Sequence, residues 1–173
     1  MRGHVILSHG SDSGPQATKV SVLAGVAEAA GWSTERPDYR DCDALGLGAS
    51  VAPRVTRLLE CMRAAPRPPL LVGSSMGAFV SGLASLQAPC AGLFLLALPT
   101  SIPGCAQPFA MARDVPSMLV HGFADELCPA DKALAAARAY GMHALLTADD
   151  HRLANSVDIV IRQFRLFLEH MPA

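Results

Sequence analysis

The stretch from Pro68 to Leu86 constrains this chain more than any other. Leu70, Leu71 and Val72, opened by Pro68 and Pro69, predict a short strand buried on both faces. Ala78 to Leu86 predicts a helix. Between them stands Gly73-Ser74-Ser75-Met76-Gly77, a Gly-x-Ser-x-Gly pattern at a strand-to-helix bend. A bend this abrupt strains the backbone at Ser75 and presents its hydroxyl at the carboxyl edge of the sheet. Glycine at 73 and 77 lets strand and helix crowd together. The helix start leaves backbone N–H groups free, so that of Met76 can stabilise negative charge beside Ser75. By itself the pentapeptide is only suggestive, because a Gly-rich turn can also hold a phosphate on a helix N-terminus.

The rest of the chain repeats strand and helix in alternation. Apolar strands are predicted at His4–Leu7, Trp32–Pro37, Leu70–Val72, Gly92–Leu98, Ser117–His121 and Met142–Thr147. Helices are predicted at Gln16–Ala30, from an N-cap at Ser50 to just before Pro66, at Ala78–Leu86, at Ala130–Tyr140 and at Ser156–His170. Six apolar strands in alternation with helices predict a mostly parallel sheet covered on both faces, a three-layer α/β/α sandwich. The segment from Pro99 to Pro116 holds four prolines and leaves room for a short helix and little more.

Length and composition fit one domain spanning residues 1–173. Hydrophobic residues are 51% and charged residues 17%, a compact globular composition. A net charge of −1 without any Lys/Arg cluster argues against nucleic acid as a partner. No run approaches the ~18 apolar residues of a membrane span, and Ser8, His9 and Ser11 interrupt the N-terminal apolar run too early for a signal peptide. The five scattered cysteines, Cys42, Cys61, Cys90, Cys105 and Cys128, read as reduced thiols in a cytoplasmic protein. Asp41 and Asp43 have no third ligand to complete a metal set and read as a solvated loop. Neither a metal nor a cofactor is expected, and a homodimer stays open.

A serine hydroxyl is a weak nucleophile at neutral pH. It needs a base, and the base needs a third group to orient it. Ser75, Asp125 and His151 follow in that order, each in a loop after a predicted strand. The base would be His151, the only one of six histidines in a loop after the final strand, and Asp125 would fix its tautomer. Taken separately, Asp125 reads as a turn or helix-cap residue and His151 as an exposed loop histidine. Glu126 is the backup acid; Asp149 and Asp150 share the loop of the base and have less freedom to reach its far nitrogen.

With these residues the chain resembles a small member of the α/β-hydrolase superfamily, from His4 to Leu168. Strand, Gly73-Ser74-Ser75-Met76-Gly77 and helix resemble its nucleophile elbow. Ser8-His9-Gly10-Ser11 resembles its oxyanion segment, which implies the Ser11 N–H as a second donor beside that of Met76. His121-Gly122-Phe123-Ala124-Asp125 resembles the segment that carries the acid, and Asp150-His151 the loop of the base. Two features depart from the full-size pattern: the two opening antiparallel strands are absent, and almost nothing is left of the cap.

The expected function is therefore a serine hydrolase for carboxylic esters or thioesters. Its shallow, open site would suit a short acyl group or one borne by a larger carrier. Three alternatives stand beside it: a short-peptide serine peptidase, a non-catalytic binding module on the same fold, and a flavodoxin-like phosphate binder. The last lacks a G-x-x-x-x-G-K-[ST] or G-x-G-x-x-G signature. Expected pocket walls are Phe109, Met111, Phe123 and Leu153, and Cys128 reads as packing beside the acid loop.

Overall fold

A computed structural model describes residues 2–171. Six strands form one sheet: β1 (His4–Ser8), β2 (Ser33–Glu35), β3 (Leu70–Ser74), β4 (Gly92–Leu96), β5 (Ser117–Gly122) and β6 (His143–Thr147). Their order is β2-β1-β3-β4-β5-β6, and every pairing is parallel. The chain leaves β1 toward β2 and returns on the other side of β1 as β3. The direction of winding thus reverses between β1 and β3, and a parallel sheet opens a crevice at such a point.

The helices are α1 (Thr18–Ala29), α2 (Arg40–Asp43), α3 (Leu47–Ala64), α4 (Met76–Ser85), α5 (Ala130–Tyr140) and α6 (Val157–Glu169). Strand side chains alternate between two cores, as the two-residue period requires. Val5, Leu7, Leu70, Val72, Phe94 and Val120 pack against α1 and α6. Ile6, Leu71, Leu93, Leu95 and Leu119 pack against α3, α4 and α5. Helix α4 is buried on every side, which explains a sequence nearly free of polar residues.

Several local expectations are corrected. The four inner strands are buried, but β2 and β6 are sheet edges, and β6 leaves His143, Ala144 and Leu146 exposed. Ser50 does not cap α3. That helix begins three residues earlier, after Gly46 at φ 93°, and the Ser50 hydroxyl donates to the Leu47 carbonyl at 2.8 Å. A four-residue helix, α2, occupies part of the expected loop before it. The segment from Pro99 to Pro116 forms no helix. Positive φ at Gly104 and Asp114 turns the chain back on itself, and the Phe109 N–H donates to the Thr100 carbonyl at 3.0 Å.

Candidate active site

Ser75 sits between β3 and α4 with φ 55° and ψ −120°, a region that L-residues avoid. Its N–H donates to the Leu96 carbonyl at 2.9 Å, and its carbonyl accepts from Ala78 and Phe79. The two flanking glycines are sterically required. A Cβ on Gly73 would lie 2.4 Å from the Gly77 carbonyl oxygen, and one on Gly77 only 2.1 Å from that of Ser8. The elbow therefore presses against the end of β1, and Gly10 lies beside Ser75.

Two further loops meet the serine. The Ser75 hydroxyl is 2.9 Å from His151 Nε2, and His151 Nδ1 is 2.7 Å from Asp125 Oδ2. Asp125 is fully buried, and its two oxygens divide their work. While Oδ2 faces the imidazole, Oδ1 accepts the N–H groups of Leu127 at 3.0 Å and Cys128 at 2.7 Å. One carboxylate oxygen of Asp125 thus makes the turn contacts and the other faces the imidazole. Glu126 points to solvent.

The loops after β5 and β6 are laced together. Phe123 and Ala124 donate to the carbonyls of Thr147 and Asp149, and a Cβ on Gly122 would meet the Asp149 carbonyl at 2.4 Å. Asp149 braces the histidine loop by accepting the N–H groups of Asp150 and Asn155, both at 2.9 Å. Burial alone would raise its pKa, but these bonds outweigh it and hold the carboxyl below its ordinary range. Beneath the acid lies His121, fully buried. Its Nδ1 accepts the Leu98 N–H, so Nε2 carries the proton, 2.7 Å from the Cys128 carbonyl and 3.3 Å from Asp125 Oδ2.

On the other flank, the Met76 and Ser11 N–H groups find no acceptor among the described residues. The loop carrying Ser11 is gripped by residues whose part the sequence reading missed. Arg54, fully buried on α3, donates to the carbonyls of His9 at 2.8 Å and Gly10 at 3.0 Å, and pairs with Asp43 at 2.7 and 2.6 Å. Its guanidinium also lies over the Tyr39 ring, 4.7 Å from the centroid. Asp43 is thus no part of a solvated loop, whereas the exposed Asp41 pairs with Arg57. A signal was present: residue 54 falls at helical spacing inside the apolar stripe of Val51, Val55 and Leu58, where a charge needs a partner.

A protein of the α/β-hydrolase superfamily from Xanthomonas campestris pv. campestris has the same structure with a TM-score of 0.93 and 44% sequence identity, over 98% of this chain and 100% of that one. This chain belongs to the α/β-hydrolase superfamily. More distant relatives show the fold alone: mouse alpha/beta hydrolase domain-containing protein 10 (TM-score 0.81, 16% identity, 98% and 92% coverage) and a serine hydrolase without lid from Xanthomonas campestris (0.74, 16%, 98% and 83%). No family model and no curated protein matches the chain.

In this hydrolase a cleft of about 940 Å³ opens over Ser75 and His151. Its walls are the loop from His9 to Ser13, the stretch from Leu98 to Pro103, Leu127 to Pro129, and side chains that include Lys19 and Arg152. None of the four expected wall residues lines it. Phe109 packs edge-on against Tyr140 and close to Gly82, and Met111 and Leu153 are likewise core. Phe123 is 60% exposed and lies outside the cleft. Asp125, Cys128 and His151 place three metal-type donors within 4.8 Å of one another. Two of them already bond each other, and burial, with the Asp125 charge, pushes the Cys128 thiol up to about 12. The thiol stays protonated and packs.

No helix among the described residues is long and apolar enough to cross a membrane.

Proposed function

We propose that this hydrolase cleaves carboxylic esters or thioesters through an acyl-enzyme on Ser75. The observation that carries the reading is the unbroken path from the strained Ser75 hydroxyl, through His151, to the buried Asp125, at 2.9 and 2.7 Å. His151 Nε2 takes the hydroxyl proton as Ser75 Oγ attacks the carbonyl carbon, and the carbonyl electron pair moves onto oxygen. The N–H groups of Met76 and Ser11 receive that oxyanion. The intermediate collapses, the bond to the leaving oxygen or sulfur breaks, and His151 returns its proton to it. Water repeats the sequence on the acyl-enzyme, releasing the acid and restoring Ser75. Asp125 keeps the proton of neutral His151 on Nδ1 and stabilises the transient imidazolium.

The uncapped cleft favours short acyl groups, or acyl groups borne on a carrier that stays outside. Five free cysteines fit a reducing compartment such as the cytoplasm.

The test is fluorophosphonate labelling with site mapping, followed by a p-nitrophenyl ester chain-length series and the matching thioesters. Label on Ser75, lost in Ser75→Ala together with turnover, is the expected result. A folded protein that takes no label refutes the reading and leaves a non-catalytic binding module in its place.

A further inference from the structure

Arg54 is a buried cation that does not itself line the cleft, yet its four hydrogen bonds converge on two groups. One is the Asp43 carboxylate; the other is the pair of carbonyls at His9 and Gly10. A guanidinium is a rigid planar fork, so fixing one edge on a carboxylate fixes where the remaining N–H groups point. The Gly10 carbonyl is held twice, because it also accepts from His9 Nδ1 at 2.7 Å. The tautomer follows from the other ring nitrogen: His9 Nε2 accepts the Tyr39 N–H at 3.0 Å, so Nδ1 carries the proton.

The orientation of the Ser11 N–H follows. Within a trans peptide unit the C=O and N–H point in opposite directions. With the Gly10 oxygen turned onto Arg54 and His9, the Ser11 N–H of the same unit is turned away from them, on the side where Ser11 lines the cleft. If the Gly10–Ser11 unit rotated, that donor would be lost from the cleft.

We propose that Arg54, set by Asp43, is a positioning residue for this hydrolase: it locks the Gly10–Ser11 peptide so that its N–H stabilises the oxyanion. The inference rests on the Ser75 acyl-transfer reading. A salt bridge serving only the fold would hold α3 to α2, and would have no reason to direct two of the five guanidinium N–H groups onto these two carbonyls.

The experiment compares wild type, Arg54→Lys and Asp43→Asn, with Arg57→Gln on the same helix as a control. Each is assayed on a matched pair of substrates, an ester and its thionoester, after its folding is checked by circular dichroism and thermal unfolding. Sulfur accepts hydrogen bonds poorly, so the ester-over-thionoester rate ratio reports use of the oxyanion donors. Arg54→Lys keeps the charge and loses the fork. Its kcat on the ester falls about ten- to a hundredfold with KM within about twofold, and the ratio shrinks by a similar factor, as for a misplaced oxyanion donor whose complete loss costs about 10²–10³. Asp43→Asn moves the same way by less, and Arg57→Gln matches wild type. Folded Arg54→Lys with wild-type kcat and ratio overturns the proposal; if that variant does not fold, wild-type values in Asp43→Asn do so. Wild type that neither labels at Ser75 nor turns over esters sinks the acyl-transfer reading itself.

Discussion

Asp125 and His151 are joined by a 2.7 Å contact between Oδ2 and Nδ1, and the remaining carboxylate oxygen is committed to the backbone of Leu127 and Cys128. The acid is thereby held from behind by the loop that carries it. Asp125→Asn can keep the oxygen that faces the backbone but turns an amide toward His151, which favours the wrong tautomer. Ester turnover should fall by about 10⁴ with little change in KM. Glu126→Gln, at an exposed neighbour, should leave kcat unchanged. Steady-state kinetics on the two variants separates them, and a large loss in Glu126→Gln would move the acid by one residue.

Gly77 and Gly25 offer a matched pair. A Cβ at 77 would overlap the Ser8 carbonyl, whereas at 25, on the exposed side of α1, it meets nothing within 4 Å. Gly77→Ala should destabilise by about 1–3 kcal/mol through overpacking and depress activity with it. Gly25→Ala should stabilise by up to about 1 kcal/mol, the helix-propensity difference. Urea unfolding measures both, and equal effects would contradict the crowding at the elbow.

Core and cleft should separate cleanly at Phe109 and Leu127. Phe109→Ala empties a buried site and should cost about 3–5 kcal/mol without changing the order of preference among ester chain lengths. Leu127, 76% exposed and on the cleft wall, should do the reverse: Leu127→Ala shifts that order with little change in Tm. A chain-length series beside a melting curve decides between them.

Acid should loosen the His9 loop. Burial is the largest cause that lowers the His9 pKa, with the Arg54 charge acting in the same direction and the Gly10 bond and nearby carboxylates against it. A depressed value in the fold means that the unfolded chain binds the proton first. The stabilisation from neutral His9 is complete above the ordinary histidine value near 6.5 and is lost as pH falls from there through the folded value. His9→Gln removes this titration. Its Tm should fall less steeply than that of wild type between about pH 7 and 5, the histidine range; parallel curves would show that His9 charges without penalty.

Most of the architecture was readable because strong local patterns and the global fold agree. The runs at Leu70–Val72 and Gly92–Leu98 read as buried strands, and the Gly-x-Ser-x-Gly bend placed Ser75 between strand and helix. What escaped has physical reasons. Pro99 to Pro116 has no periodicity, so nothing in it told that Phe109 would turn inward and leave the cleft wall to Thr100–Pro103. Arg54 stands inside the apolar stripe of its helix, but the partner that makes its burial tolerable, Asp43, lies eleven residues earlier in an unpatterned stretch, so the stripe alone did not say what it holds. Edge exposure at β6 depends on where the sheet ends, which no single strand records.

The left-handed backbone at Ser75 also bears on how this protein can be improved. A strained residue of this kind costs on the order of 1–3 kcal/mol, which glycine would largely recover. On the acyl-transfer reading of Ser75, heat resistance and chemistry therefore compete for one codon. A library screened for survival at high temperature alone will accumulate replacements at position 75 and enrich inert proteins, so any thermostability campaign must carry a turnover selection alongside.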